Sequence, residues 1–411
     1  MKLFFNGNTK GLTAGIEIIQ KELNFTVSED GTPITIEKTL GNIEVELKGG
    51  KGIIRYNEKI HFFRALGLFI EQLRERTEFK IVEKPLFTLN GGMFDVSRNA
   101  VLTVNSIKNL LRKMSIMGLN MVMLYAEDTY TIEGNPYFGY MRGKYTYNEL
   151  KECDDYADKL GIEIIPCIQT LAHLKQALKW SYAENIKDTD DILLVGNKKT
   201  YEFIEQMITS AAAPFRSKRI HIGMDEAHDL GLGKYLTENG FRRRFDIMNE
   251  HLGKVLEITS AHKLKPMFWS DMYFRLASKT GRYYDLESKI PEDVIKNVPE
   301  NVQLVYWDYY NVDKKTYIDM INAHNRFEND VVFAGGTWTW AGNCINYNKT
   351  IAATNPALEA CKEKGIKEVF TTFWGDNGAE TNVFFGLLGL QLFAEHGYSE
   401  VLDLDKLKRR V

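Results

Sequence analysis

The sequence has no long apolar run: nowhere do about 18 or more apolar residues follow one another, so no transmembrane helix is expected. It lacks a charge excess as well. The formal net charge of the 411 residues is −3, which argues against nucleic acid or an anionic membrane as the main partner. Cysteine is scarce. The four, Cys153, Cys167, Cys344 and Cys361, lie far apart with no CxxC or Cys/His metal spacing. The opening "MKLFFNGNTKGLTAG" has one early Lys and an apolar triplet soon broken by Asn and Gly, too short for a signal peptide. The expectation is a reduced, cytoplasmic protein. Its ordinary apolar fraction is enough for a sizeable core.

Aromatic residues, by contrast, are plentiful, and their placement follows the organisation of the chain. Residues 1–85 read as a small α/β unit. "TPITIEKT" and "IEVELKGGKGIIRY" alternate apolar and polar residues with a Gly-rich turn, and "KIHFFRALGLFIEQLRER" has helical spacing with a basic end. Pro85 marks a break. From 86 to 411 short β-rich runs alternate with helical stretches, several of which end in Gly. The runs are "GGMFDVS", "NMVMLYAE", "EIIPCIQT", "RIHIGMDE", "KPMFWSD", "VQLVYWDYY", "VVFAGGTWTW" and "EVFTTFWGD". Eight such units predict an α/β fold: a (β/α)8 TIM barrel preceded by a small α/β domain. A doubly wound sheet is the structural rival, but it would not need eight units or polar residues at every strand end.

In a barrel the chemistry sits at the C-terminal strand ends. Here those ends carry Asp95 and Arg98, then Glu127 and Asp128, then Gln169 to His173, then Asp225 and Glu226. They continue with Trp269 and Asp271, Tyr306 to Asp308, Trp338 and Trp340, and Trp374 and Asp376. Five of the six tryptophans thus fall at predicted strand ends. Strand side chains alternate faces. That alternation puts His221, Gly223 and Asp225 inward and Ile220, Ile222 and Met224 outward. The same parity predicts that Trp269 with Asp271, Tyr306 with Asp308, Trp338 with Trp340, and Trp374 with Asp376 point inward. Aromatic faces beside carboxylates suit a sugar, whose C–H faces stack while its hydroxyls donate.

Each residue also has a plainer reading. A single Trp is as often core as pocket, His173 and His221 could be satisfied core histidines, and Asp225 could be a helix N-cap. A cap would not explain Glu226. His221, Asp225, His228 and Asp271 could be drawn together as metal ligands, but no tight H-x-H or H-x-x-x-H element is present. Neither a metal nor a cofactor is expected.

Taken together, these residues resemble glycoside hydrolase family 20, the β-N-acetylhexosaminidases. "HIGMDE" is similar to the family's H-x-G-G-D-E signature, and "PCIQTLAH", "FWSD", "YWD" and "WGD" resemble its other strand ends, over essentially the whole chain. The resemblance implies a substrate-assisted retaining mechanism, in which the sugar's 2-acetamido oxygen is the nucleophile. Glu226 would be the acid and base. Asp225 would orient the acetamide and stabilise the oxazolinium. A raised Glu226 pKa is expected from the neighbouring anion and a partly dry pocket.

The resemblance also implies that Tyr306 bonds the acetamide oxygen, that Trp269, Trp338, Trp340 and Trp374 line the pocket, and that Asp308 and Asp376 hold distal hydroxyls. Either Glu127 or Asp128 would pair with His173, and His221 would lie behind the catalytic residues. The family's first-strand Arg falls at Asn90 by spacing, so Asp95 or Arg98 is expected to grip hydroxyls in its place. The implied partner is a glycan or glycoconjugate with a terminal N-acetylhexosamine, and nothing in the sequence sets an oligomeric state. Rival readings are an O-GlcNAcase-type hydrolase, which typically carries an Asp-Asp pair, and a non-catalytic sugar-binding barrel, which would have no need of Glu226.

Overall fold

The structure, a computed structural model, describes residues 1–410. The first unit is a six-stranded sheet of β1 (Lys2–Gly7), β2 (Thr26–Val27), β3 (Thr32–Lys38), β4 (Ile43–Lys48), β5 (Lys51–Tyr56) and β6 (Phe79–Glu83), ordered β2-β1-β3-β5-β4-β6. The β4–β5 hairpin turns through Gly49 and Gly50, both at positive φ (54° and 74°). Two left-handed residues match a two-residue turn to the strands' twist, and glycine adopts them without steric cost. The helix Lys59–Leu73 packs on β4 and β5, burying Phe62, Phe63, Leu66 and Phe69.

All eight predicted barrel strands are present; the first keeps its predicted length but starts two residues earlier, and the other seven are shorter than their sequence runs. They are β7 (Leu89–Asp95), β8 (Met121–Ala126), β9 (Glu163–Ile168), β10 (Arg219–His221), β11 (Lys265–Trp269), β12 (Gln303–Trp307), β13 (Val331–Gly336) and β14 (Glu368–Phe373). They pair in parallel around a closed barrel, and β14 meets β7 through Glu368–Leu89 to Phe373–Phe94. Closure leaves no sheet edge and excludes the doubly wound rival. Met93, Met123, Ile165, Cys167, Met267 and Val305 fill the barrel interior, and a separate apolar layer joins the outer faces to the helices. Among the described residues no helix is long and apolar enough to cross a membrane.

Candidate active site

β10 is only three residues long, because the chain leaves the strand conformation immediately after His221. Gly223, Met224 and Glu226 have φ of 71°, 77° and 51°. At Gly223 the left-handed backbone meets a second demand: an added Cβ would lie 2.1 Å from Gln169 Oε1. That oxygen accepts the Met224 N–H at 3.1 Å. The Gln169 Nε2 donates to Asp225 Oδ1 at 2.7 Å and to the Tyr125 hydroxyl at 3.0 Å. One amide from the end of β9 therefore fixes both the turn and the carboxylate. Met224 points out into the apolar layer, as expected, and Asp225 points into the barrel mouth. A non-glycine residue in the left-handed region costs of order 1–3 kcal/mol and needs outside support. For Glu226 that support is Asp271, whose Oδ2 accepts the Glu226 N–H at 3.0 Å.

His173, itself at φ 55°, stands between the two acids. Its Nε2 lies 3.2 Å from Asp225 Oδ2 and 3.4 Å from Glu226 Oε2. Burial disfavours charge on His173, but the Asp225 carboxylate overrides it and holds the imidazole pKa well above 6.5. Burial also pushes Asp225 up, and the His173 charge pulls it below the ordinary aspartate value. Glu226 follows the same pattern: burial and Asp225 raise it, His173 lowers it, and the balance falls below the usual glutamate value. This corrects the expectation of a raised Glu226: a histidine midway between the acids reverses the shift, and no local motif announces that placement. Of the three carboxylates at this turn the raised one is Asp271, fully buried and lifted by burial and by the Asp225 charge. At rest the charged form of His173 and the neutral form of Asp271 are therefore favoured.

Aromatic rings wall the cavity. Trp269 is buried against His221, with ring centroids 4.4 Å apart, and lies 6.1 Å from Trp374. Trp307 stacks on Tyr309 at 5.2 Å, and Trp340 meets Tyr309 edge-on at the same distance. The Tyr309 hydroxyl accepts the Trp374 Nε1–H at 3.0 Å, which leaves its own proton free to donate. Arg98 spans the rim over Trp374, held by Asp95 at 2.9 Å and Glu127 at 3.4 Å, and Asp376 sits exposed at the mouth.

Residues 87–381 match the family model for the glycosyl hydrolase family 20 catalytic domain. The chain belongs to glycoside hydrolase family 20. Among curated relatives, a probable beta-hexosaminidase of Arthroderma benhamiae is 24% identical over 369 residues, covering 80% of this chain and 55% of the relative. Hexosaminidase D of Homo sapiens is 25% identical over 223 residues, covering 50% of this chain and 42% of the relative. The chain spans about half the length of these relatives. A beta-N-acetylhexosaminidase structure from Bacteroides fragilis superposes with a TM-score of 0.71 at 16% identity, covering 100% of this chain and 89% of that one. A Vibrio harveyi exo beta-N-acetylglucosaminidase gives 0.73 at 16% identity, covering 100% and 72%. These structural likenesses establish the fold.

Within this family 20 site several expected positions shift. β12 is one register out: Val305 and Trp307 face inward, while Tyr306 packs outward against His324 and Phe333. Asp308 accepts from the Tyr306 hydroxyl and from the Tyr310 and Asn311 amides, so it ties the turn and does not face the pocket. Trp307 and Tyr309 occupy the places expected of Tyr306 and Asp308. Trp338 stacks behind Trp340 at 4.8 Å and donates to the Tyr309 carbonyl, bracing the wall from outside. Asp95 is turned to Arg98 and the Gly375 N–H, so Arg98 alone of that pair reaches the cavity. Asn90 points away from the pocket and donates to the Phe393 carbonyl. Asp128 pairs with Arg142 and Glu127 with Arg98, so neither bonds His173 directly.

His221 lies beneath the site, accepting the Gly223 N–H on Nδ1. The four residues weighed as metal ligands do not converge, since His228 bonds Tyr283 at 2.9 Å and His221 packs tilted against Trp269. From sequence Gln169 stands only as the start of the third strand end, with no role, and Tyr309 has none. Gln169 carried a signal, the inward parity it shares with Cys167 and Ile165. Tyr309 carried none, because "VYWDYY" is aromatic on both faces.

Proposed function

We propose that this chain is an exo-acting β-N-acetylhexosaminidase that cleaves terminal β-linked GlcNAc or GalNAc by a substrate-assisted retaining mechanism. The observation that carries the reading is the juxtaposition of Asp225, Glu226 and His173 at the floor of a cavity walled by Trp269, Trp307, Trp340 and Trp374. Asp225 is held ionised and faces the place where positive charge would develop, which suits it to accept the acetamide N–H and stabilise the oxazolinium. The free proton of Tyr309 would meet the acetamide oxygen and set it for attack on C1. Glu226 must carry a proton when the glycosidic oxygen departs, and His173, 3.4 Å away, is the nearest store. After departure the same carboxylate, again ionised, takes a proton from the incoming water. The acid required for leaving-group departure and the steady anion required for the acetamide then sit in adjacent residues, which accounts for the Asp-Glu pair. A binding barrel would need neither the strained Glu226 backbone nor its clamp.

The test is a panel of 4-nitrophenyl β-glycosides of GlcNAc, GalNAc and glucose, with a thiazoline analogue of the oxazolinium as inhibitor. Cleavage of the acetamido sugars should exceed that of the glucoside by at least three orders of magnitude, and the thiazoline should inhibit strongly. Comparable turnover of the glucoside would show that the acetamide is not the nucleophile.

A further inference from the structure

One hydroxyl stands between two acceptors beside the acid. After β11 the chain runs through the helix Asp271–Ala277 into a loop that carries Tyr283 and Tyr284. Tyr284 anchors this loop: its hydroxyl accepts the Trp307 N–H at 3.3 Å and pairs with the Ser270 hydroxyl at 3.2 Å. Tyr283 is thereby laid against Trp307, with ring centroids 5.2 Å apart, and the Arg275 guanidinium lies 4.9 Å from its ring. Arg275 is fixed in turn by the Gly281 carbonyl. The Tyr283 hydroxyl is 2.9 Å from His228 Nε2 and also hydrogen-bonds the Glu226 carboxylate. A phenol has one proton to donate, so it cannot serve both acceptors at once.

We propose that Tyr283 is a positioning residue for the acid: its hydroxyl points to His228 while Glu226 is protonated and swings to Glu226 as the proton leaves for the glycosidic oxygen. The proposal rests on the hexosaminidase reading above and adds a residue to it. A neutral carboxyl is a weak acceptor, so before departure His228 takes the Tyr283 proton. Once Glu226 is ionised it becomes the better acceptor, since hydrogen bonds to a charged partner are roughly twice as strong as neutral ones. His228 is exposed, so water replaces the bond it loses. No proton passes through Tyr283. Glu226 gives its proton to the leaving oxygen and regains one from water, while Tyr283 keeps its own. The stabilisation grows only as charge develops on Glu226, so it acts on the barrier and not on substrate binding alone.

The charges around the pair keep this exchange available. Burial and the Glu226 charge hold the phenol protonated; Asp271 acts in the same sense and Arg275 against it. His228 is pushed below 6.5 by burial and by Arg275, with His173 adding to the push and Glu226 and Asp229 opposing it. The neutral imidazole is therefore favoured at neutral pH, and it has a lone pair to offer. Arg244 turns to the Ala227 and His228 carbonyls and leaves the ring alone. Glu226 itself faces Asp225 and His173, and Asp271 meets it through the backbone N–H.

The test is the pH profile of kcat/KM for the parent, Tyr283→Phe and His228→Leu, with 4-nitrophenyl and phenyl β-GlcNAc as better and poorer leaving groups. The alkaline limb reports loss of the proton that Glu226 shares with His173. Tyr283→Phe withdraws a donor from ionised Glu226, so the proton is held more tightly and the limb should move up by about one pH unit. His228→Leu withdraws the competing acceptor, so the hydroxyl stays on Glu226 and the limb should move down by about half a unit. Neither substitution alters a charge at neutral pH, so opposite shifts isolate the hydroxyl. Tyr283→Phe should also lower kcat/KM about tenfold on the phenyl glycoside and no more than about threefold on the nitrophenyl one, which needs less protonation. An unmoved limb in Tyr283→Phe, shifts of the same sign in the two variants, or equal losses on both leaving groups would leave Tyr283 as wall alone, with the hexosaminidase reading intact. A parent that cleaves neither glycoside would sink that reading, and this role with it.

Discussion

At the scale of single residues, the site is a problem of where two protons reside among three carboxylates and an imidazole. Asp225, Glu226 and Asp271 converge within the reach of His173 and of each other's fields, and a buried cluster of three anions would be prohibitive. His173 lies between Asp225 and Glu226, where the Asp225 carboxylate favours its charged form, and burial beside Asp225 favours the neutral form of Asp271. This arrangement sets a pH dependence whose sign can be worked out. His173 lowers both catalytic carboxylates, which extends the ionised form of Asp225 toward acid pH, while the Asp225 charge extends the protonated form of the imidazole toward higher pH. Replacing His173 by Asn removes the cation, and both carboxylates rise. The acid limb of kcat/KM, which reports protonation of Asp225, should then move upward by about one pH unit or more. An unmoved acid limb would show that His173 does not set the charge of Asp225. The acids themselves were legible as a motif. The location of the protons was not, because it depends on distances between residues that come from three different strands.

At the scale of elements, alternation predicted which side of each strand faces the barrel, and its success tracked how long each strand stayed regular. In β10 the chain turns left-handed after three residues, yet Asp225 still arrives inward because Gln169 and Asp271 capture the turn. In β12 the predicted parity is off by one residue: tyrosines and tryptophan occupy both faces, so the apolar–polar contrast that fixes the phase is missing. The tryptophans after β13 lie beyond the strand, where a period of two no longer applies. The clamp between elements is itself testable. Asp271 begins the helix Asp271–Ala277, and its Oδ2 holds the Glu226 N–H. Because burial and the Asp225 charge favour the neutral form of this carboxyl, Asn is a close mimic: it keeps an acceptor oxygen and adds no charge. Asp271→Asn should retain turnover within about tenfold, whereas Asp271→Leu should lower kcat by roughly a hundredfold as the acid drifts from its position. KM for a GlcNAc glycoside should move little in either variant. Equal losses in Asn and Leu would mean that the hydrogen bond to Glu226 is not what Asp271 supplies.

At the scale of the molecule, the small unit is bolted to the barrel by buried charge that no sequence motif announced, since its members come from positions 64, 83, 395, 406 and 410. Arg64, fully buried on the helix Lys59–Leu73, bonds Glu83 at 2.9 Å, Glu395 at 3.2 Å and the Met117 carbonyl at 2.7 Å, and lies over the Tyr398 ring. The helix Leu404–Arg410 returns to this junction, placing Lys406 and Arg410 3.0 Å from Glu395. Burial alone would raise Glu395, but the three cations draw its pKa from 4.5 down to about 2. A depressed folded pKa means that the carboxylate contributes stability above its unfolded value, and that this contribution fades as pH falls from about 4.5 toward 2. Arg64→Met leaves Glu83 and Glu395 buried with less compensation and should cost about 3–5 kcal/mol at pH 7, the range for breaking a buried pair. Thermal melts of Glu395→Gln should show a lower Tm than the parent at pH 7 and a smaller gap at pH 3, because the parent loses the charge that the variant never had. A gap that stays constant from pH 7 to pH 3 would place the strength of this junction in its apolar contacts and not in Glu395.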